Sequence, residues 1–164
     1  MKIHNVPADH IALCEKFGLK LHSSNISCAT YEARMCDVSN AKDATFYLHE
    51  LGHFLTADES LKLKPNYGLG SDPGGGEKTS MFCDRKKAIF EEDKALFCGA
   101  LIIYFYANDL FDFHISDYNI KYWLQDVVTS HVQAYSIPKE LLEKIENDGF
   151  EYSNFINACK NAKS

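Results

Sequence analysis

Two histidines four residues apart, His49 and His53, lie inside the run Thr45-Phe46-Tyr47-Leu48-His49-Glu50-Leu51-Gly52-His53-Phe54-Leu55, with Glu50 directly after the first. Leu48, Leu51, Phe54 and Leu55 flank the pair, and their spacing predicts a largely buried helix. On a helix, residues four apart share one face, about 40° apart around the axis and ~6 Å along it. Both imidazoles can therefore aim at one point. Buried imidazoles need polar partners, and Zn²⁺ accepts neutral imidazole in a tetrahedral set of four ligands. Glu50 can reach the side where a zinc-bound water sits. Zinc brings that water's pKa to about 7, and a nearby carboxylate can take its proton. The pattern predicts a zinc site with His49 and His53 as ligands and Glu50 as the base. The plainer alternative, a surface histidine pair holding no metal, fits poorly with the apolar flanks.

The motif helix is expected from about Ala41 to Ala57, with Ser39 or Asn40 as N-cap and Asp43 in the first turn. Gly52 inside it costs ~1 kcal/mol of helix propensity relative to Ala, and a residue this small beside the second histidine lets another segment pass close to the metal. A second helix, from about Lys87 to Ala107, offers the third ligand. Glu92, Ala95, Leu96 and Gly99 share one of its faces. Ala95 and Gly99 have little side chain, so this helix can approach the first closely and bring Glu92 to the zinc. Glu91 is the alternative ligand, and an acid cluster complementing the helix dipole is the non-metal reading. Cys98 lies on an adjacent stripe, as a thiolate ligand or an apolar filler. Tyr67, among turn residues, and His114, after the second helix, are candidate oxyanion or substrate contacts.

The remaining chain reads as scaffold. A first helix runs from Pro7-Ala8-Asp9-His10 to about Phe17, with Gly18 at the position where positive φ is common. His4 and His10 read as surface histidines. Leu19 to Ser24 and Ile26 to Cys36 are expected to be extended, with a turn near Ser23-Ser24-Asn25. They predict a small antiparallel sheet whose last strand, just before the motif helix, offers an edge to a peptide substrate. Asp58 to Lys87 is mostly irregular and rich in turn residues, so it is a candidate wall or lid. Ser116-Asp117-Tyr118-Asn119 opens a helix whose core stripe is Ile120, Trp123, Leu124, Val127 and Val128, with His131 packed at its end. Ile137-Pro138-Lys139 starts another helix that Gly149 ends, and Tyr152 to Ala162 forms the last.

Length and composition bound the function. The 164 residues, 46% hydrophobic and 13% aromatic, suit one domain with a substantial core. A formal charge of −6 disfavours general nucleic-acid binding. Met1 to Pro7 lacks an apolar leader, and no apolar run approaches the length of a membrane span, so a soluble cytoplasmic protein is expected. The six cysteines form no CxxC pair and are expected to be free and mostly buried.

His49-Glu50-Leu51-Gly52-His53, followed by Glu92-x-x-Ala95-Leu96-x-Cys98-Gly99-Ala100-x-Ile102-Ile103, resembles the ImmA/IrrE-type minimal zincins. That family shows HELGH and then E-x-x-A-N-x-F-A-A-x-L-L on a later helix. Here Leu96 stands for Asn, Cys98 for Phe and Gly99 for Ala. The resemblance implies His49, His53 and Glu92 as zinc ligands and Glu50 as base. The expected fold is α+β, a mainly helical minimal zincin with a small antiparallel sheet beside the motif helix. It forms one domain over residues 1–164, with a metal core at about 26–107 and a helical scaffold at about 116–164. The expected function is zinc-dependent hydrolysis of a peptide bond in an intracellular protein or peptide. The alternative is a zinc-stabilised interaction or regulatory module without catalysis.

Overall fold

The computed structural model describes residues 6–23, 31–32, 35–38, 44–61, 85–111 and 137–147. Helix α1, Ala8–Lys16, starts directly after Pro7, whose carbonyl accepts the N–H groups of His10 and Ile11. Its end follows from the backbone freedom of one glycine. Gly18 adopts φ +93°, the N–H of Leu19 reaches the Cys14 carbonyl at 2.9 Å, and the N–H of Gly18 reaches Glu15 at 3.0 Å. This pair of bonds satisfies two carbonyls that a helix end leaves open. It also turns Leu19 back over Cys14, and both are fully buried.

Three short strands follow: β1 at Lys20–His22, β2 at Tyr31–Glu32 and β3 at Met35–Asp37, in the order β1-β3-β2. The sheet is mixed, which corrects the antiparallel sheet expected from the alternation. β1 runs parallel to β3, with Leu21 opposite Cys36, while β2 runs antiparallel to it, with Glu32 opposite Met35. The chain thus doubles back between Glu32 and Met35, inside the run read as one extended strand. A second correction bears on substrate binding. β3, the strand preceding the motif helix, is paired on both sides, so among the described residues the outer strands of this sheet are β1 and β2.

Helix α2, Ala44–Thr56, carries the motif, and α3, Arg85–Tyr106, begins two residues earlier than the sequence suggested. From Ala95 to Ile103, α3 buries residues on every side. Ala95, Phe97, Cys98, Ala100, Leu101, Ile102 and Ile103 are all shielded from solvent, as expected of a helix threaded through a core. All of these but Ala95 share one apolar cluster with Leu48 and Leu51 of α2, Leu19 and Leu21 beside and within β1, and Cys36 and Val38 within and just past β3. Gly52 meets Ala95 and Gly99, while Asp58, just past α2, meets Glu91 and Lys87 of α3. The two helices therefore run antiparallel.

A 3-10 turn at Asn108–Leu110 follows α3, and α4 spans Lys139–Asn147 after Pro138. Ile137 and Leu141 join the core. Lys16 of α1 pairs with Glu140 at 2.6 Å and lies over the Tyr106 ring, and Lys144 covers Phe105 and Tyr106. α4 is thus tied to α1 and to the end of α3. Mainly helical architecture holds for the described residues. No helix among them is long and apolar enough to cross a membrane. The expected caps Ser39 and Asn40, the turn at Ser24-Asn25, His4, most of the 58–87 segment, the Ile120 to Val128 stripe with His131, and the last helix lie outside the described residues.

Candidate metal centre

The site is built by one close approach between two helices. A Cβ placed on Gly52 would lie 2.5 Å from the Ala95 carbonyl oxygen and 3.0 Å from the Gly99 nitrogen. Only the absence of a side chain lets α2 rest on the backbone of α3 here. Glycine inside a helix is unfavourable by ~1 kcal/mol, and the helix contact is what that cost permits. One turn from this crossing the helices present facing polar groups, and the close approach decides which of them meet.

Those groups are His49 and His53 on α2 and Glu92 on α3. His49 Nε2 lies 2.8 Å from one Glu92 carboxylate oxygen, and His53 Nε2 lies 2.9 Å from the other. One carboxylate therefore spans both imidazoles, each placed to donate an N–H to its own oxygen. The two rings stand 4.7 Å apart, nearly perpendicular. Both histidines are buried, while Glu92 remains 36% exposed, so the cluster opens to solvent on the Glu92 side. Burial alone would raise the Glu92 carboxyl; the hydrogen bonds from His49 and His53 outweigh it and hold the group below its ordinary range. Burial would lower His53, but the hydrogen bond it donates to Glu92 and the negative charges of Glu92, Glu50 and Glu91 raise it above the usual histidine value.

This donor set fits zinc. Among the described residues, ligand atoms of His49, His53 and Glu92 all lie within 4.8 Å of one another. A tetrahedral zinc with bonds of about 2.0–2.1 Å needs ligand atoms roughly 3.3 Å apart. The observed 2.8 and 2.9 Å contacts need only small side-chain rotations to open that far. Two nitrogens and one carboxylate leave a fourth position to be filled, and the half-exposed Glu92 gives solvent a route to it.

Glu91, the competing candidate, is engaged elsewhere. Its carboxylate makes an ion pair with Lys94 at 2.9 Å and accepts the N–H of Asp58 at 3.3 Å. Cys98 is fully buried in the apolar cluster, where burial pushes its thiol up and away from ionisation, so it acts as filler. Glu50 lies half-buried between the two histidines in sequence, and its charge acts on His53. Tyr67 and His114 lie outside the described residues.

Two features of the surroundings escaped the sequence reading. His10, read as a surface residue, is buried, and its Nδ1 lies 2.6 Å from the Tyr47 hydroxyl on the core side of α2. Lys94 is 4% exposed, which is rare for lysine without a partner. The signal for Lys94 was present in principle: it stands three residues after Glu91, the spacing of a helical ion pair. For His10 no local pattern announces a partner that far along the chain. The chain matches no family model, no curated protein and no solved structure.

Proposed function

We propose that the protein is a zinc-dependent peptidase of the minimal zincin kind, with His49, His53 and Glu92 as metal ligands and Glu50 as the general base. The observation that carries this reading is the single Glu92 carboxylate facing both imidazoles at 2.8 and 2.9 Å, from a different helix than the one bearing the motif. A histidine pair four residues apart is common enough by itself. An acid delivered to it by a glycine-dependent helix contact is a converging set of three.

Bound zinc supplies a Lewis acid that acidifies a water and polarises a carbonyl. The rest of the chemistry falls to the chain. His49 and His53 hold their Nε2 atoms toward the common point because α2 fixes both on one face. Glu92 brings negative charge that offsets that of a divalent cation. Glu50 accepts a proton from the attacking water and returns it to the leaving amine, a role worth about 10²–10⁴-fold in rate. The substrate is a peptide or protein in an extended form. β3 has no unpaired side with which to receive it, so among the described strands addition falls to β1 or β2.

Glu50→Gln tests this function. It keeps the shape of the side chain and removes its basicity, so the variant should bind zinc as the wild type does and lose peptide cleavage by about 10²-fold or more. A wild type that holds zinc and cleaves nothing in a broad peptide library, with Glu50→Gln indistinguishable from it, would instead favour a metal-stabilised binding module.

A further inference from the structure

Two adjacent carboxylates of α3 face α2, and only one of them meets the histidines. We propose that Lys94 makes that choice: it holds Glu91 in a buried ion pair at the C-terminal end of α2, leaving Glu92 as the carboxylate that meets His49 and His53. The inference rests on the metal-centre reading above and adds to it a residue that touches neither metal nor substrate.

The geometry supports the assignment. Glu91 and Lys94 are 3% and 4% exposed, and their charged atoms lie 2.9 Å apart on one turn of α3. The second Glu91 oxygen accepts the Asp58 N–H, just beyond α2. Glu91 thus points at α2, as Glu92 does, but at its end rather than at the histidines. Its charge is felt at His53, so it lies within electrostatic reach of the centre. A buried carboxylate that loses its cation is strongly unfavourable unless it finds another. The site between His49 and His53 offers it one; the other cation nearby, Lys87, is paired with Asp58 at 3.4 Å. Replacing a buried ion pair with apolar groups is often neutral for stability, so stability alone gives little reason for a lysine here. Ligand selection does: with Glu91 occupied by an ammonium group, the metal charge is balanced by one carboxylate instead of two.

Lys94 is therefore a positioning residue, and it can be tested by suppression. Zinc affinity is measured by chelator competition, with folding followed by circular dichroism melts, for the full chain carrying Glu92→Gln alone and together with Lys94→Met. Glu92→Gln should weaken zinc binding by more than about 100-fold, since even outer-shell partners are worth 10–100-fold. Adding Lys94→Met should recover at least about tenfold of that loss, because the released Glu91 supplies the missing carboxylate. Adding Glu91→Gln as well should abolish the recovery, and Lys94→Arg, which keeps the cation, should give none. Should Lys94→Met fail to fold, Lys94→Gln carries the same neutralisation with a polar side chain. No recovery in the folded double variant, or a recovery that survives Glu91→Gln, overturns the inference while leaving the metal centre standing. Wild-type protein that binds no zinc, or Glu92→Gln that binds it undiminished, overturns the metal centre itself and the inference with it.

Discussion

Gly52→Ala is the most informative single change to the scaffold of the site, because two physical effects predict opposite signs. Helix propensity alone favours alanine by ~1 kcal/mol. Against it, the new methyl group would lie 2.5 Å from the Ala95 carbonyl oxygen, about 0.9 Å short of ordinary van der Waals contact. The obstacle is backbone on both counts, Ala95 and Gly99, so no flexible side chain can swing aside. α3 must move away from α2, and overpacking of this kind costs typically 1–3 kcal/mol. The net expectation is destabilisation by ~1 kcal/mol, a drop in Tm of roughly 2–4 °C for a chain of this size. The same displacement shifts Glu92 relative to the two histidines that it now meets at 2.8 and 2.9 Å, and so disturbs the spacing of the three donors. Zinc affinity should fall by about tenfold or more, comparable to disturbing a ligand's supporting shell. Thermal melts of the metal-free protein and chelator competition read the two effects separately. A variant that melts higher by ~1 kcal/mol equivalent and binds zinc unchanged, as propensity alone predicts, would show that the helices do not meet at Gly52 as described.

Two further perturbations test other parts of the account. In the metal-free protein, His53 is raised, so its contribution is fully present below the unfolded value of 6.5 and is lost as pH rises through the higher folded value. Glu92 is lowered, so its contribution is present above 4.5 and is lost only as pH falls through a lower folded value. Stripped of metal, the protein should gain stability from this cluster at pH 5.5 relative to pH 8.5, a difference that disappears in Glu92→Gln. Zinc competes with the His53 proton, so zinc affinity should change in the opposite sense and rise with pH. Melts and competition titrations at the two pH values check both signs, and a zinc affinity that falls with pH would contradict the shared proton. Tyr47→Phe removes the hydroxyl 2.6 Å from buried His10. It should cost about 1–3 kcal/mol in denaturant unfolding while leaving zinc stoichiometry intact, since this contact faces the core and not the metal; a loss of zinc would place Tyr47 in the site.

The parts of this molecule legible from sequence are those written in local spacing. Helical period places His49 and His53 together, and the small residues Gly52, Ala95 and Gly99 announce a close crossing. Gly18 marked the end of α1 because only a positive-φ residue closes a helix in that way. Glu92 could be preferred to Glu91 from the small-residue face below it, but the reason Glu91 stays out of the cluster, its pairing with Lys94, is tertiary. The sheet was misread for a related cause. Alternation in residues 26–36 suits one long strand as well as two short ones, and the parallel pairing of β1 with β3 depends on contacts no local pattern encodes. The burial of His10 likewise depends on Tyr47, which lies on another helix.

Metal content is the most direct test of the site. Protein purified without added chelator should hold about one zinc per chain by elemental analysis, and His49→Ala and Glu92→Ala should each lose it while remaining folded. Full zinc occupancy in a folded Glu92→Ala, or no zinc in the wild type after incubation with the ion, would contradict the convergence of α2 and α3 on a common cation.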